Sequence, residues 1–197
     1  MSKMPVVFVG HGSPMNAIED NDYSKAWREI GARIPKPKGI VSISAHWYTK
    51  GTKIMNEDNP KTVYDMYGFP NELYEVKYDS PGSPRLAKKV KELISRDTEY
   101  DNSWGIDHGT WSVLVHMFPE KDIPLFQISV DANAQPEEHY QIGKELSSLR
   151  EEGILIFASG NVVHNLRLVD WNMENEGFEW ANQFDTIIKE NILKKNH

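Results

Sequence analysis

The chain has 197 residues, 39% of them hydrophobic and 26% charged, with a net charge of −7 when histidine is counted neutral. That length suits one domain with a sizeable core, and the acidic balance argues against nucleic-acid binding, which needs a basic face. With no cysteine in the chain, disulfides, iron–sulfur clusters and thiolate zinc sites are excluded, so any metal must sit on His, Asp or Glu.

The N-terminal MSKMPVVFVGHG runs straight into a strand pattern, VVFVG at 6–10. It lacks the longer apolar core and small-residue cleavage site of a signal peptide, and no later run approaches the length of a membrane helix. The expectation is a cytoplasmic protein with no membrane partner. A helical pattern follows at 23–34, with Trp27, Ile30 and Ile34 on one face. GIVSIS at 39–44 is a second short, continuous apolar run, as expected of a strand buried on both faces. The stretch 49–84 is rich in Tyr, Pro, Gly and Asn. It is too long for a simple turn and is expected to be functional or to carry short strands of its own. Ser83 and Pro84 are a favoured cap and first-turn pair, opening a helix over 83–96. A short helix is expected at 111–118, a strand at 123–130, a helix at 136–150, a strand at 154–159 and a helix at 180–193. Buried-type strands alternating with helices predict a single α/β domain over 1–197, with a largely parallel central sheet flanked by helices.

Three of the seven histidines fall just past strand patterns: His11 after VVFVG, His46 after VSISA and His164 after ILIFASGNVV. In an open α/β sheet the ligand crevice lies at the carboxyl ends of the strands, so a parallel sheet would gather these imidazoles on one edge. His108, expected in a loop within IDHGTW, can join them. Neutral imidazole is the commonest metal ligand and a natural proton shuttle near neutral pH. Two or three imidazoles with open positions suit Zn(II) or non-haem Fe(II). An isolated histidine after a strand is more often a hydrogen-bonded loop residue, but three in one chain raise the metal reading to about even odds. His116 and His139 lie inside amphipathic helix patterns, where a structural role is expected, and His197 is terminal.

Other motifs are weaker. HGSP lacks the Gly-x-Ser-x-Gly elbow, since Ser13 is followed by Pro14 and Met15, and Ser159 lacks it too; a serine hydrolase is disfavoured. Gly10 and Gly12 follow a strand without the third glycine of a dinucleotide fingerprint.

GHGSPMN (10–16), ISAHWYT (43–49), YDMYGFP (64–70), IDHGTW (106–111), QISVD with PEEHYQIG (127–143) and SGNVVHNL (159–166) stand in order along the chain. Together they resemble the DOPA 4,5-dioxygenase family of class III extradiol ring-cleaving dioxygenases. The resemblance implies a cleavage of a small-molecule catechol such as DOPA with O2 to a ring-opened semialdehyde. It implies Fe(II) for catalysis, with Zn(II) able to occupy the same imidazoles. His11 and His46 match the first two metal ligands. His164 matches a histidine at the metal, either ligand or acid/base, and His108 one that contacts substrate hydroxyls or oxygen. Tyr64, Tyr67 and Tyr78 match the segment over the pocket. Family members also carry a histidine in a C-terminal Thr-Pro-x-His context. These 197 residues do not contain that motif, so the chain is expected to be C-terminally short, with one metal ligand fewer. The competing readings are a zinc-dependent hydrolase and a non-catalytic metal-binding relative or fragment.

Overall fold

The computed structural model describes residues 3–170, 173 and 176–196, so His197 lies outside the described residues. It divides into two compact units, Met1–Gly160 and Asn161–His197. The first contains a six-stranded sheet in the order β1-β6-β2-β5-β3-β4. Its strands are β1 (Val6–Val9), β2 (Gly39–Thr49), β3 (Thr52–Ile54), β4 (Thr98–Tyr100), β5 (Leu125–Asp131) and β6 (Ile154–Ser159). The first four in spatial order are parallel: β1 to β6, β6 to β2 and β2 to β5. β3 then pairs antiparallel with β5 through Ile54 and Ile128, and β4 runs parallel to β3.

The four parallel strands are those expected from the sequence, and their burial explains their pattern. Ile40, Val41 and Ser42 in β2 and Leu155 and Phe157 in β6 are fully buried. With helices on both faces, such a strand has no water-facing side and no reason to alternate. β1 lies at the edge, and there Val6 and Phe8 are exposed.

The helices are α1 (Asp22–Arg33), α2 (Asn71–Tyr74), α3 (Pro84–Leu93), α4 (His108–Met117), α5 (Pro136–Leu146) and, in the second unit, α6 (Glu179–Lys194). Asn21 and Ser24 form a reciprocal capping box at the start of α1, and Ser83 caps α3 ahead of Pro84. Every residue of α4 from His108 to Leu114 is buried, as expected of a helix that is apolar all round. It packs against α1 and β2.

Two sequence expectations change, and both bear on function. β2 continues to Thr49 instead of stopping at residue 44, so His46 lies inside the strand. Its register against β5 jumps between Ile43 and Tyr48, and its pairing with β6 ends at Ser44. His46 therefore sits in a bulged stretch, a device that re-aims side chains at sheet ends. α4 begins at His108, three residues before the expected start, so His108 is the first residue of a helix and not part of a loop. β3 and an isolated bridge from Thr62 to Ile106 lie within the long 49–84 stretch, which thus has short extended pieces of its own.

Gly31 on α1 permits the close approach to α4. A Cβ built there would stand 2.2 Å from the carbonyl oxygen of Met117. Backbone cannot yield as a flexible side chain can. Gly31→Ala is expected to lower the melting temperature, at an overpacking cost of about 1–3 kcal/mol, despite alanine's better helix propensity. Thermal denaturation followed by circular dichroism checks this.

Candidate metal centre

His11 follows β1 by two residues and is buried, and its carbonyl accepts from Asn16 Nδ2 at 3.0 Å. Its ring Nδ1 lies 2.7 Å from Ser159 Oγ, at the end of the neighbouring strand β6. The parallel register pairs Val9 with Ser159, so the strand ends that carry these two groups are adjacent. His46 projects from the β2 bulge, and its Nε2 lies 3.0 Å from His11 Nε2. His108 enters from the first turn of α4, its ring centroid 3.9 Å from that of His46 and 5.2 Å from that of His11.

The helix can bring His108 this close because its second residue is glycine. A Cβ on Gly109 would lie 2.6 Å from Ser44 Oγ and 3.0 Å from His46 Cδ2. Asp107, just before the helix, is buried and accepts three hydrogen bonds: from Ser44 Oγ at 2.6 Å, Trp104 Nε1 at 3.0 Å and Gln127 Nε2 at 2.9 Å. Burial pushes its carboxyl above the usual range, and these bonds only partly offset it.

Behind the histidines lies Asp65. Its Oδ1 accepts the backbone N–H of His108 at 3.0 Å and lies 2.9 Å from His108 Nδ1. Its Oδ2 lies 3.1 Å from His46 Nδ1. The carboxylate also sits at the amino end of α4, where the helix dipole favours negative charge. Burial alone would raise the Asp65 pKa, but contact with the His108 and His46 imidazoles outweighs it and holds the carboxyl well below its ordinary range. For His46, burial lowers the pKa, while Asp65 and then Asp107 more than compensate, so the net shift is upward.

Among the described residues, His11, His46 and His108 form a group that could hold a metal ion, with one donor atom from each within 4.8 Å of the others. Nitrogens on one metal at about 2.1 Å stand roughly 3.4 Å apart in a tetrahedral site. The 3.0 Å His11–His46 separation brackets that spacing from below, and the 4.8 Å limit brackets it from above. The surroundings also fit a cation. The donor set is three imidazoles, and the Asp65 carboxylate stands behind two of them, a negative charge close to where a cation would sit.

The remaining sequence candidates separate cleanly. His164 belongs to the second unit and is exposed. His116 Nε2 donates to the Asn16 carbonyl at 2.8 Å, and His139 Nε2 to that of Asp131 at 3.2 Å, so both have structural bonds. Tyr78 is buried in the core with its hydroxyl on the Phe118 carbonyl, and the Tyr64 hydroxyl donates to that of Val76. Tyr67 is exposed. Asp65 and Asp107 are the residues that sequence reasoning missed. Each adjoins a residue already singled out, Tyr64 or His108, and a carboxylate beside an apolar run needs a buried partner.

The family model for the catalytic LigB subunit of aromatic ring-opening dioxygenase matches residues 2–197. A protein of Escherichia coli (strain K12) named 4,5-DOPA dioxygenase extradiol is 45% identical over 193 residues, covering 97% of this chain and 71% of its own length. A protein of the same name from Beta vulgaris is 42% identical over 166 residues, covering 80% of this chain and 61% of its own. The crystal structure of an uncharacterized protein from Escherichia coli K12 matches with a TM-score of 0.82 at 42% identity, covering 96% of this chain and 72% of that one. Among the described residues, no helix is long and apolar enough to cross a membrane.

Two outcomes follow for the metal-free protein. Gly109→Ala should push against Ser44 and His46 and weaken zinc binding by about tenfold or more, the scale on which supports of a metal site act. Competition with a chromogenic chelator measures it, with circular dichroism as the control for folding. Zinc affinity should also fall as pH drops, because a proton competes for imidazole. The raised His46 pKa moves that loss to higher pH than an ordinary histidine would show. Titration across pH checks the direction.

Proposed function

Because the chain belongs to the family of the catalytic LigB subunit of aromatic ring-opening dioxygenases, we propose that it is a metal-dependent extradiol dioxygenase acting on a catechol such as DOPA. Ring carbon–carbon cleavage beside the two hydroxyls would consume O2, both its atoms entering a ring-opened semialdehyde. The observation that carries this reading is the gathering of His11, His46 and His108 at the carboxyl end of the sheet. Such a crevice is where α/β sheets bind ligands.

Fe(II) in this site supplies a template for the two substrates and the electron transfer between them. His11 and His46 are its ligands. Their neutral imidazoles suit iron and zinc alike, but zinc has no redox chemistry. His108, the third imidazole of the group, meets the substrate hydroxyls and stabilises the negative charge that develops on oxygen. His164 is the base that takes a catechol proton, or a further ligand. This role rests on the resemblance of SGNVVHNL to the family's motif. A catechol and O2 are the only partners this chemistry needs.

The test is anaerobic loading with Fe(II), then addition of DOPA or plain catechol with O2, following oxygen uptake and the yellow product. Uptake matched to product is expected, with none from the zinc-loaded protein. His164→Ala should slow turnover by about 100-fold or more, as expected for loss of a general base. Iron binding without turnover would instead mark a non-catalytic metal-binding relative. Oxygen-independent hydrolysis with zinc would replace the dioxygenase reading with a hydrolase.

A further inference from the structure

Asp65 is the only carboxylate in contact with two of the three clustered imidazoles among the described residues, and it touches both on the same ring position. One oxygen lies 2.9 Å from His108 Nδ1 and the other 3.1 Å from His46 Nδ1. A carboxylate repels a ring lone pair and attracts a ring N–H. Neither contact is aligned as a full hydrogen bond, so it is the carboxylate's charge at these short distances that favours the proton on Nδ1 and leaves the lone pair on Nε2. For His46 that is the nitrogen 3.0 Å from His11 Nε2, on the side where the three rings converge. The carboxylate itself is held: its Oδ1 also accepts the His108 backbone N–H, its side chain is 9% exposed, and the preceding Tyr64 is fixed through its hydroxyl to Val76. A loop side chain is thereby tied to the first turn of α4 and, through that turn, to the bulge of β2.

We propose that Asp65 is a shared positioning residue, one carboxylate that sets the tautomer and orientation of both His46 and His108, so that ligand and substrate-facing imidazole are prepared together. The metal-affinity part of this inference rests on the proposed metal site; the tautomer part does not. A ligating histidine commonly gives its second ring N–H to a carboxylate, which fixes its orientation and raises its basicity. Here one carboxylate serves two rings, which also ties their movements together. Removing the charge of Asp65 should therefore take support from both histidines, with the tautomer changing at the ring that loses its acceptor.

The experiment is long-range 15N–1H spectroscopy on the metal-free full chain, in buffer alkaline enough that both rings are neutral. In the wild type, His46 and His108 should both show the Nδ1–H pattern. Finding the proton on Nε2 in either ring would overturn the proposal without any variant. In Asp65→Asn, the amide offers one acceptor and one donor in place of two acceptors, so one ring should keep its tautomer and the other should flip. Zinc affinity should fall about 10–100-fold, the usual scale for losing such a support. Asp65→Glu, which keeps the charge, should recover part of that affinity. Unchanged tautomers in Asp65→Asn would sink the idea, as would unchanged zinc affinity. If wild-type protein binds no zinc, the proposed function fails, while the tautomer spectra still decide the role of Asp65.

Discussion

The buried carboxyl of Asp107 is the constraint on which the geometry around the histidines rests. Leaving such a group without partners in the interior would cost several kcal/mol, so its three donors must be in place before the region is stable. They come from three separate pieces of chain: Ser44 in β2, Gln127 in β5 and Trp104 in the loop ahead of α4. Satisfying one side chain thus fixes the start of α4 against two adjacent central strands. Ser44 is also the last residue of β2 paired with β6. The point where the helix is anchored is the point where the strand is released to bulge, and His46 and His108 are each within two residues of that junction.

This arrangement explains why the functional groups gather here and not at the other end of the sheet. A parallel strand ends with backbone groups unpaired and a crossover beginning, so side chains there can depart from the regular alternation. β1 contributes His11, β6 contributes Ser159 and β2 contributes His46 at successive positions along the same edge. α4 adds His108 through its first turn, a part of a helix whose N–H groups lack internal partners. One of those N–H groups is satisfied by Asp65. Backbone need and side-chain chemistry meet in a single carboxylate.

Much of this could be read from the sequence, and the failures have physical causes. β2, β5 and β6 show as continuous apolar runs because burial on both faces removes any polar alternation, whereas β1 is as apolar at the sheet edge, with Val6 and Phe8 exposed. His11 was placed correctly because VVFVG ends abruptly in glycine. β3 and β4 are three residues each, too short for any period to show, and their pairing depends on β5 from far along the chain. The extension of β2 through His46 was hidden because AHWYT mixes polar and aromatic residues as a loop does. Only its pairing of Tyr48 and Thr49 with Val130 and Asp131 makes it strand. IDHGTW reads as a loop between two helical patterns, whereas the structure starts α4 at His108 and uses Gly109 to let the helix approach His46. Beyond standing next to Tyr64 and His108, Asp65 and Asp107 carry no local signature, and apart from Trp104 their partners lie 19 to 63 positions away.

The two carboxyls are shifted in opposite directions though they stand beside the same histidine. Asp107 is pushed upward by burial and is bound by neutral donors only, so its environment lowers the tendency to ionise. Asp65 is also buried, but two imidazoles face it and hold its carboxyl down. Neighbouring acids split in this way when one is solvated by dipoles and the other by groups able to carry positive charge. Asp65 is thus the carboxyl more firmly held as an anion beside the imidazoles. It lies on the Nδ1 side of His46 and His108, set back from the Nε2 contact between His46 and His11. A dication among these rings would gain electrostatic support from that charge without losing an open position to a carboxylate ligand.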